Sequence, residues 1–275
     1  MTNVNLEKAG NVLRTYEPAI IGVTAMLATT SVFLHRAETH GSLKLKPVPR
    51  MAARAITWVG SGMKPREWVG VHIRHHKYTD QAPDPDIPKS GDPHSPFQNG
   101  RFGVLKVLVG NVPMYRKAAR ELEPGDYPPE LNQDKWDKRL FDKGILGLGV
   151  LAGIYLAAKK GDAKTAGKNW AAHVVAVMAA GGVINGLSHA GNGPMVDALV
   201  NGPKADEDGN YARNLSDVPT VGTMGEGSHK NHHEDPSNIW FNEKHWLDPG
   251  GMIAAASIKN GLAEAGTKPP TDVAA

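Results

Sequence analysis

The chain has 275 residues, enough for one large domain with a sizeable core. It contains no cysteine, which excludes disulfides, thiolate zinc sites, cysteine-ligated iron–sulfur clusters and cysteine nucleophiles, so any metal must be held by nitrogen or oxygen. A formal charge of +3, with a pI near 8.9, is too small and too dispersed to specify nucleic acid as a partner, although it suits an anionic membrane surface.

Residues 1–17 read as a polar tail, and no small-residue cleavage site marks a secretory signal. An uncharged run at 18–34, "PAIIGVTAMLATTSVFL", just reaches the length of a bilayer crossing, about 17 to 20 residues. From 35 to 142 the sequence is polar and basic, broken by the half-apolar stretches "MAARAITWVGSGMKPREWVGV" and "RFGVLKVLVGNVPMY". Trp58, Trp68 and Tyr115 among basic residues suggest helices lying at a membrane interface. A second uncharged run spans 144–158 and a third 169–189. The third is rich in Gly and Ala, which permits close helix contact in lipid. The sequence "GLGVLA" within the second run matches a dinucleotide loop only superficially, since no strand precedes it; it reads as membrane-helix packing. Residues 264–275 read as a second polar tail.

The expected fold is therefore all-α: a single-domain, integral membrane bundle of about three spans with a helical cap. A mean hydropathy of −0.36 favours the alternative, a soluble helical protein with buried core helices; the uncharged runs favour the membrane. Runs two and three form a hairpin, which puts everything before and after them on one side. Nine Lys or Arg residues between Arg36 and Lys77 place that side in the cytoplasm by the positive-inside rule, against four lysines in the opposite loop.

Twelve histidines are the main anomaly. "VHIRHHKYTD" carries His72, His75 and His76, and "GEGSHKNHHEDP" carries His229, His232 and His233 at the same spacing. On a helix this spacing puts three imidazoles on one face, able to point toward a common centre. "LHRAETH" adds His35 and His40 at the end of the first span, and "INGLSH" adds Asn185 and His189, one turn apart, at the end of the third. Nine imidazoles are too many for one ion, so two metals are expected. The metal stays open among those that imidazole suits. A carboxylate-bridged di-iron bundle would need two Glu-x-x-His pairs, and only Glu226 with His229 is present. H-E-x-x-H and G-x-S-x-G are absent. Asp80, Asp84, Asp86, Asp92, Glu226, Glu234 and Asp235 lie near enough in sequence to orient the imidazoles through their second nitrogens, or else form a solvated acidic loop. His94 is either a contact of this kind, a headgroup contact, or a plain loop residue. His173 reads as an interfacial residue beside Trp170, and nothing recommends His245.

Together these motifs resemble the membrane fatty acid desaturases, in particular the acyl-CoA desaturase-like branch found in bacteria. The resemblance runs from about residue 24 to 263. "LHRAETHGSLKLKP" is similar to the first histidine box, and "GMKPREWVGVHIRHHKYTD" with "DPHSP" to the second and its acidic extension. "AGGVINGLSHAGN" resembles the segment with an Asn and a ninth histidine, and "GEGSHKNHHEDP" the third box. The resemblance implies two iron ions held by His35, His40, His72, His75, His76, His189, His229, His232 and His233, with Asn185 reaching one of them through water. It also implies O2 as co-substrate and a saturated fatty acyl chain, as acyl-CoA or acyl-lipid, into which a cis double bond is inserted. The family usually places two spans before the first box; here one is found. With no cysteine, no flavin or nicotinamide loop, and "DPGG" lacking the histidine of a haem motif, electrons must come from a separate ferredoxin or cytochrome with its reductase. The basic face from Lys44 to Lys77 suits an acidic donor or a carrier headgroup. Two alternatives stay open: a hydroxylase of acyl chains, alkanes or carotenoids on the same scaffold, and a non-catalytic metal-binding membrane protein.

Overall fold

The computed structural model describes residues 3–82, 84–86, 91–92, 94–123, 126, 131, 134–191, 194–201, 204 and 211–266. Ten α-helices and one two-stranded sheet are found among them. The chain is all-α in class, and its helices fall into a long-helix bundle and a cap of short elements.

The bundle is formed by α1 (Asn3–Thr29), α2 (Pro47–Ser61), α5 (Gly144–Ala158) and α6 (Ala163–Leu187), with α4 (Gly103–Glu121) laid against α6. The second uncharged run coincides with α5. The helix of the third run, α6, starts before the run and ends two residues short of its end; Asp162 caps its start by accepting the Thr165 backbone N–H at 3.0 Å. The helix of the first run also extends beyond its uncharged residues. Helix already begins at Asn3, so 3–17 are opening turns of α1 rather than a tail. Two helical stretches, Glu7–Thr39 and Ala163–Leu187, are long and apolar enough to cross a membrane, and α5 is a shorter apolar helix. Only 17% of the apolar window of α6 is buried inside the protein. Ile20, Ile21, Ile145, Ile154 and Val175 point outward. A water-soluble bundle would hide these faces, whereas lipid accepts them.

Polar repairs inside the bundle follow from the same solvent argument. Pro18 sits within α1 and has no N–H for the carbonyl of Arg14. Lys159 supplies that bond, its Nζ donating to Arg14 O at 3.0 Å. One turn on, buried Asn169 donates to Thr15 O at 2.9 Å and accepts from Ala19 N at 3.1 Å. His173, expected at an interface, is instead fully buried. Its Nδ1 accepts from Tyr155 Oη at 2.7 Å, and its Nε2 donates to Gly60 O at 2.7 Å, tying α5, α6 and the end of α2 together. Gly147 lets α5 approach α2 so closely that a Cβ there would meet the Trp58 carbonyl carbon at 2.9 Å, which makes "GLGVLA" a packing surface.

Between the bundle and the cap, α1 runs directly into a ten-residue π-helix, Thr30–Thr39. α3 (Pro65–Lys77) follows α2 through Gly62, whose φ of 66° closes α2 with a bond from its N–H to Trp58 O. The cap is completed by α7 (Met195–Asn201), α8 (Asp217–Gly222), α9 (His229–Glu234) and α10 (Pro249–Lys259). Strands β1 (Leu43–Leu45) and β2 (Ala263–Ala265) pair antiparallel, Leu43 with Ala265 and Leu45 with Ala263. Glu264 and Ala265 are thus strand residues, not tail, while 267–275 lie outside the described residues. Val32, Leu43, Ala254 and Ala263 form the small core that fixes this sheet and α10 on the π-helix.

Candidate metal centre

His35 and His40 stand five residues apart. On an α-helix, about 100° per residue would leave them roughly 140° apart around the axis. The π-helix closes i to i+5, and the His40 N–H donates to His35 O at 3.1 Å. The wider turn brings the two rings to 5.0 Å between centroids. A π-helix is thus one local geometry that brings two rings five residues apart together, and α-helical periodicity alone does not read it.

All nine expected histidines gather in two groups. His35, His40, His72, His76 and His232 each offer a nitrogen to one; His75, His189, His229 and His233 to the other, with the nitrogens of each group within 4.8 Å of one another. The sequence left open which histidine belongs to which group, and the arrangement divides each H-x-x-H-H stretch between the two. Residues i and i+4 of a box stay together, as His72 with His76 and His229 with His233, while the i+3 residue reaches across to the other group. At 100° per residue, positions i and i+4 lie about 40° apart and i+3 falls about 60° to the opposite side of i, so α3 and α9 each bridge the two groups.

Carboxylates on the second nitrogens set the tautomers. His75 Nδ1 lies 2.7 Å from Asp92 Oδ2, His189 Nδ1 lies 3.1 Å from Asp80 Oδ2, and His35 Nδ1 contacts Glu226 Oε2. Each carboxylate accepts the Nδ1–H, which leaves a lone pair on Nε2. Of the seven acidic residues considered from sequence, these three take the role. Asp84 caps its own turn, Glu234 lies 3.9 Å from Lys230, and Asp235 accepts from Ser237. Asp80 is held at φ 56° and also accepts Ser95 Oγ.

With those tautomers the hydrogen bonds of the second group cannot close. His229 Nε2 lies 2.7 Å from His189 Nε2, and His233 Nε2 lies 3.3 Å from His75 Nε2, so both would have to donate. Yet His229 and His233 Nε2 face each other at 3.0 Å, where two N–H groups would collide. In the first group, contacts of 2.9–3.1 Å link His35 to His72, His72 to His76, His76 to His232 and His232 back to His35. One ring nitrogen has one lone pair or one hydrogen and cannot point it along two such contacts. Buried His40 Nε2 has no partner among the described residues. Lone pairs converging on a cation in each group remove every conflict, so the residues fit two metal ions with all-nitrogen donors.

Electrostatics agree. Burial first, then the neighbouring imidazoles, push His40, His72, His76, His229, His232 and His233 well below the ordinary value of 6.5, keeping them neutral. Burial would lower His75 too, but Asp92 and Asp80 raise it; burial would raise Asp92, and His75 holds it below the usual carboxylate range. A linkage prediction follows for the metal-free protein. Below 6.5 the unfolded chain takes up protons on these six imidazoles and on His94, which burial lowers to about 4, whereas the folded chain keeps them neutral, so stability falls as pH drops; the raised His75 opposes this. Thermal melts in detergent of metal-free protein should show a midpoint falling steadily from pH 7 to pH 5; a flat profile would contradict the buried neutral cluster.

Sequence reasoning missed three partners of this centre. Arg36, next to the first ligand candidate, is completely buried and pairs with both oxygens of Asp248 at 2.8 and 2.9 Å, and with Ser31 and Glu226. Asp248, read only as part of "DPGG", also caps α10 through Gly251 N and accepts Phe241 N. Asn111 accepts from Asn185 Nδ2 at 2.7 Å. Nothing local distinguished these residues; each gains its role from a distant segment. His245 stacks on Trp240 away from the cluster.

A cavity of about 720 Å³ opens from the histidines into the bundle. His35, His72, His75, His229 and Glu226 line it, so both groups face the same space. Met26, Leu148, Val174, Val177 and Met178 line its α1, α5 and α6 side, and Lys64, His94, Tyr115, Arg116 and Arg120 its α3–α4 side. The volume lies within the range of about 300–1,000 Å³ seen for small-molecule sites.

Fold and site together define an all-α membrane protein built around a two-compartment histidine cluster that opens onto an amphipathic cavity. The chain belongs to the fatty acid desaturase family, whose sequence model matches residues 16–243. It is also similar to hex-5-enoyl-[acyl-carrier protein] acetylenase of Moorena producens (strain JHB), at 27% identity over 262 residues, 88% of this chain and 74% of that protein. Membership makes this a membrane-associated protein of lipid metabolism and supports an oxidoreductase acting on fatty acids.

Proposed function

We propose that the protein is an O2-dependent acyl desaturase that inserts a cis double bond into a saturated acyl chain. The observation that carries the reading is the junction of both histidine groups, through His35, His72, His75 and His229, with one cavity that apolar side chains of α1, α5 and α6 also line. An unactivated methylene offers no acid, carbonyl or leaving group, so ordinary side chains cannot attack it. Two bound iron ions would supply the O2-dependent oxidation: a CH2–CH2 unit, O2, two electrons and two protons give CH=CH and two water molecules.

The chain's own residues have distinct tasks in this proposal. His35, His40, His72, His76 and His232 would hold one ion, and His75, His189, His229 and His233 the other. Asn185, one turn before His189 and facing the cavity, would reach the second ion through water, its amide oriented by Asn111. Glu226, Asp92 and Asp80 keep the protons of His35, His75 and His189 on Nδ1, so that Nε2 stays a donor of electrons. Met26, Leu148, Val177 and Met178 exclude water from the tail of the substrate. Arg116 and Arg120 would meet an anionic acyl carrier, consistent with the acyl-carrier protein in the relative's name. α1, α5 and α6 would cross the membrane, with the histidines on the cytoplasmic side, where a separate ferredoxin or cytochrome brings electrons.

Lipid profiling of cells that express the protein tests the reaction. A new monounsaturated acyl chain, absent in control cells, is expected; a hydroxylated chain would replace desaturase by hydroxylase, and an unchanged profile in cells supplied with iron and donor would overturn both.

A further inference from the structure

His94 is 6% exposed and lies against the cavity, yet its imidazole makes no hydrogen bond among the described residues. Its Nε2 is fully buried without a partner. The residue is held through its backbone, the N–H donating to Asp92 Oδ1 at 3.0 Å, while the other oxygen of Asp92 takes the proton of His75. The Tyr115 ring stacks beside it at 6.4 Å. Leaving a buried polar ring without a partner is destabilising, so its retention at the wall of a ligand cavity calls for a ligand that satisfies it.

We infer that His94 is the hydrogen-bond donor for the carbonyl oxygen of the bound acyl thioester or ester, and so sets how far the chain reaches past the histidine cluster. This rests on the proposed acyl substrate. Its chemistry follows from the cavity walls. An acyl ester has one neutral polar group between an apolar tail and an anionic carrier. Burial lowers His94 to about 4 and keeps it uncharged, which suits a neutral carbonyl rather than a phosphate. The tail matches the apolar α1, α5 and α6 side, and the charged arm matches Arg116 and Arg120. His94 lines the cavity together with the polar residues of its α3–α4 side. With the carbonyl anchored there, the number of methylenes between it and the metals is counted by the cavity, making His94 a positioning residue for the site of oxidation.

The test uses iron-loaded full-length protein in detergent, a [1-13C]stearoyl thioester, and the variants His94→Phe and His94→Gln. Isotope-edited infrared spectra of the bound thioester should show the labelled carbonyl stretch at lower frequency than in micelles alone. His94→Phe should return it to the micelle frequency, and His94→Gln should keep much of the shift. In turnover, His94→Phe should raise KM by up to about tenfold and spread the double bond over several positions, with iron content unchanged. A parent carbonyl at the micelle frequency overturns the inference, as does a shift that survives in His94→Phe, or a phenylalanine variant that loses rate with a single product isomer. A parent that shows the carbonyl shift but forms no unsaturated product retains the His94 contact and removes the desaturase reading instead.

Discussion

Replacing His232 with Ala is expected to abolish product formation, by at least about a hundredfold, and to lower iron from two ions per chain toward one. His232 belongs to the box at 229–233, but its nitrogen sits in the group with His35, His40, His72 and His76. Its ring nitrogen lies 2.9 Å from that of His35 and 3.0 Å from that of His76. Loss of a partner that merely orients a metal ligand already costs about 10–100-fold in affinity or activity, and removal of a ligand should exceed that. The division between groups adds a sharper expectation. His233→Ala, one residue away, should weaken the other ion. Iron analysis of the two purified variants, with spectroscopy that separates the two sites, checks this; variants that lose the same ion would contradict the crossing of the boxes between groups.

The second large effect concerns stability. Arg36 and Asp248 are both fully buried and joined by two hydrogen bonds, with Arg36 also over the ring of Phe241 at 3.6 Å. Asp248→Ala would strand the guanidinium beside Glu226 alone and remove the cap of α10. Breaking one partner of such a pair costs about 3–5 kcal/mol, a large fraction of a typical domain's stability. The double variant Arg36→Met with Asp248→Leu removes both charges and should recover much of that loss, because no unpaired charge stays buried. Denaturation midpoints of the parent, single and double variants in one detergent measure this. A single variant as stable as the parent would mean that the pair does not tie α10 to the π-helix.

Much of the molecule was legible in the sequence, and the limits have physical causes. The nine histidines stood out because imidazole clusters at helical spacing are rare, and α5 and α6 because each carries an uncharged apolar run. The π-helix was not readable from α-helical periodicity, since that periodicity would leave His35 and His40 on different sides of the helix. The crossing of each box between two groups depends on how α3 and α9 face each other, and no local pattern contains that. Glu226, Asp92 and Asp80 were among seven acidic residues considered, and only the fold separates them from Asp84, Glu234 and Asp235. Arg36 with Asp248 and Asn169 with Thr15 and Ala19 are pairings across 150 residues of sequence or more. His173 was assigned to an interface because Trp170 is its neighbour in sequence, whereas its partners in space are Tyr155 and Gly60.

The most direct measurement is a single-turnover reaction of purified, iron-loaded and chemically reduced protein with O2 and a saturated acyl thioester, counting double bonds formed per O2 consumed. One cis double bond per O2, absent in His232→Ala, is the expected result. O2 consumed with a hydroxylated product, or no O2 consumed by protein that holds two irons, would contradict an acyl desaturase built on the nine-histidine cluster.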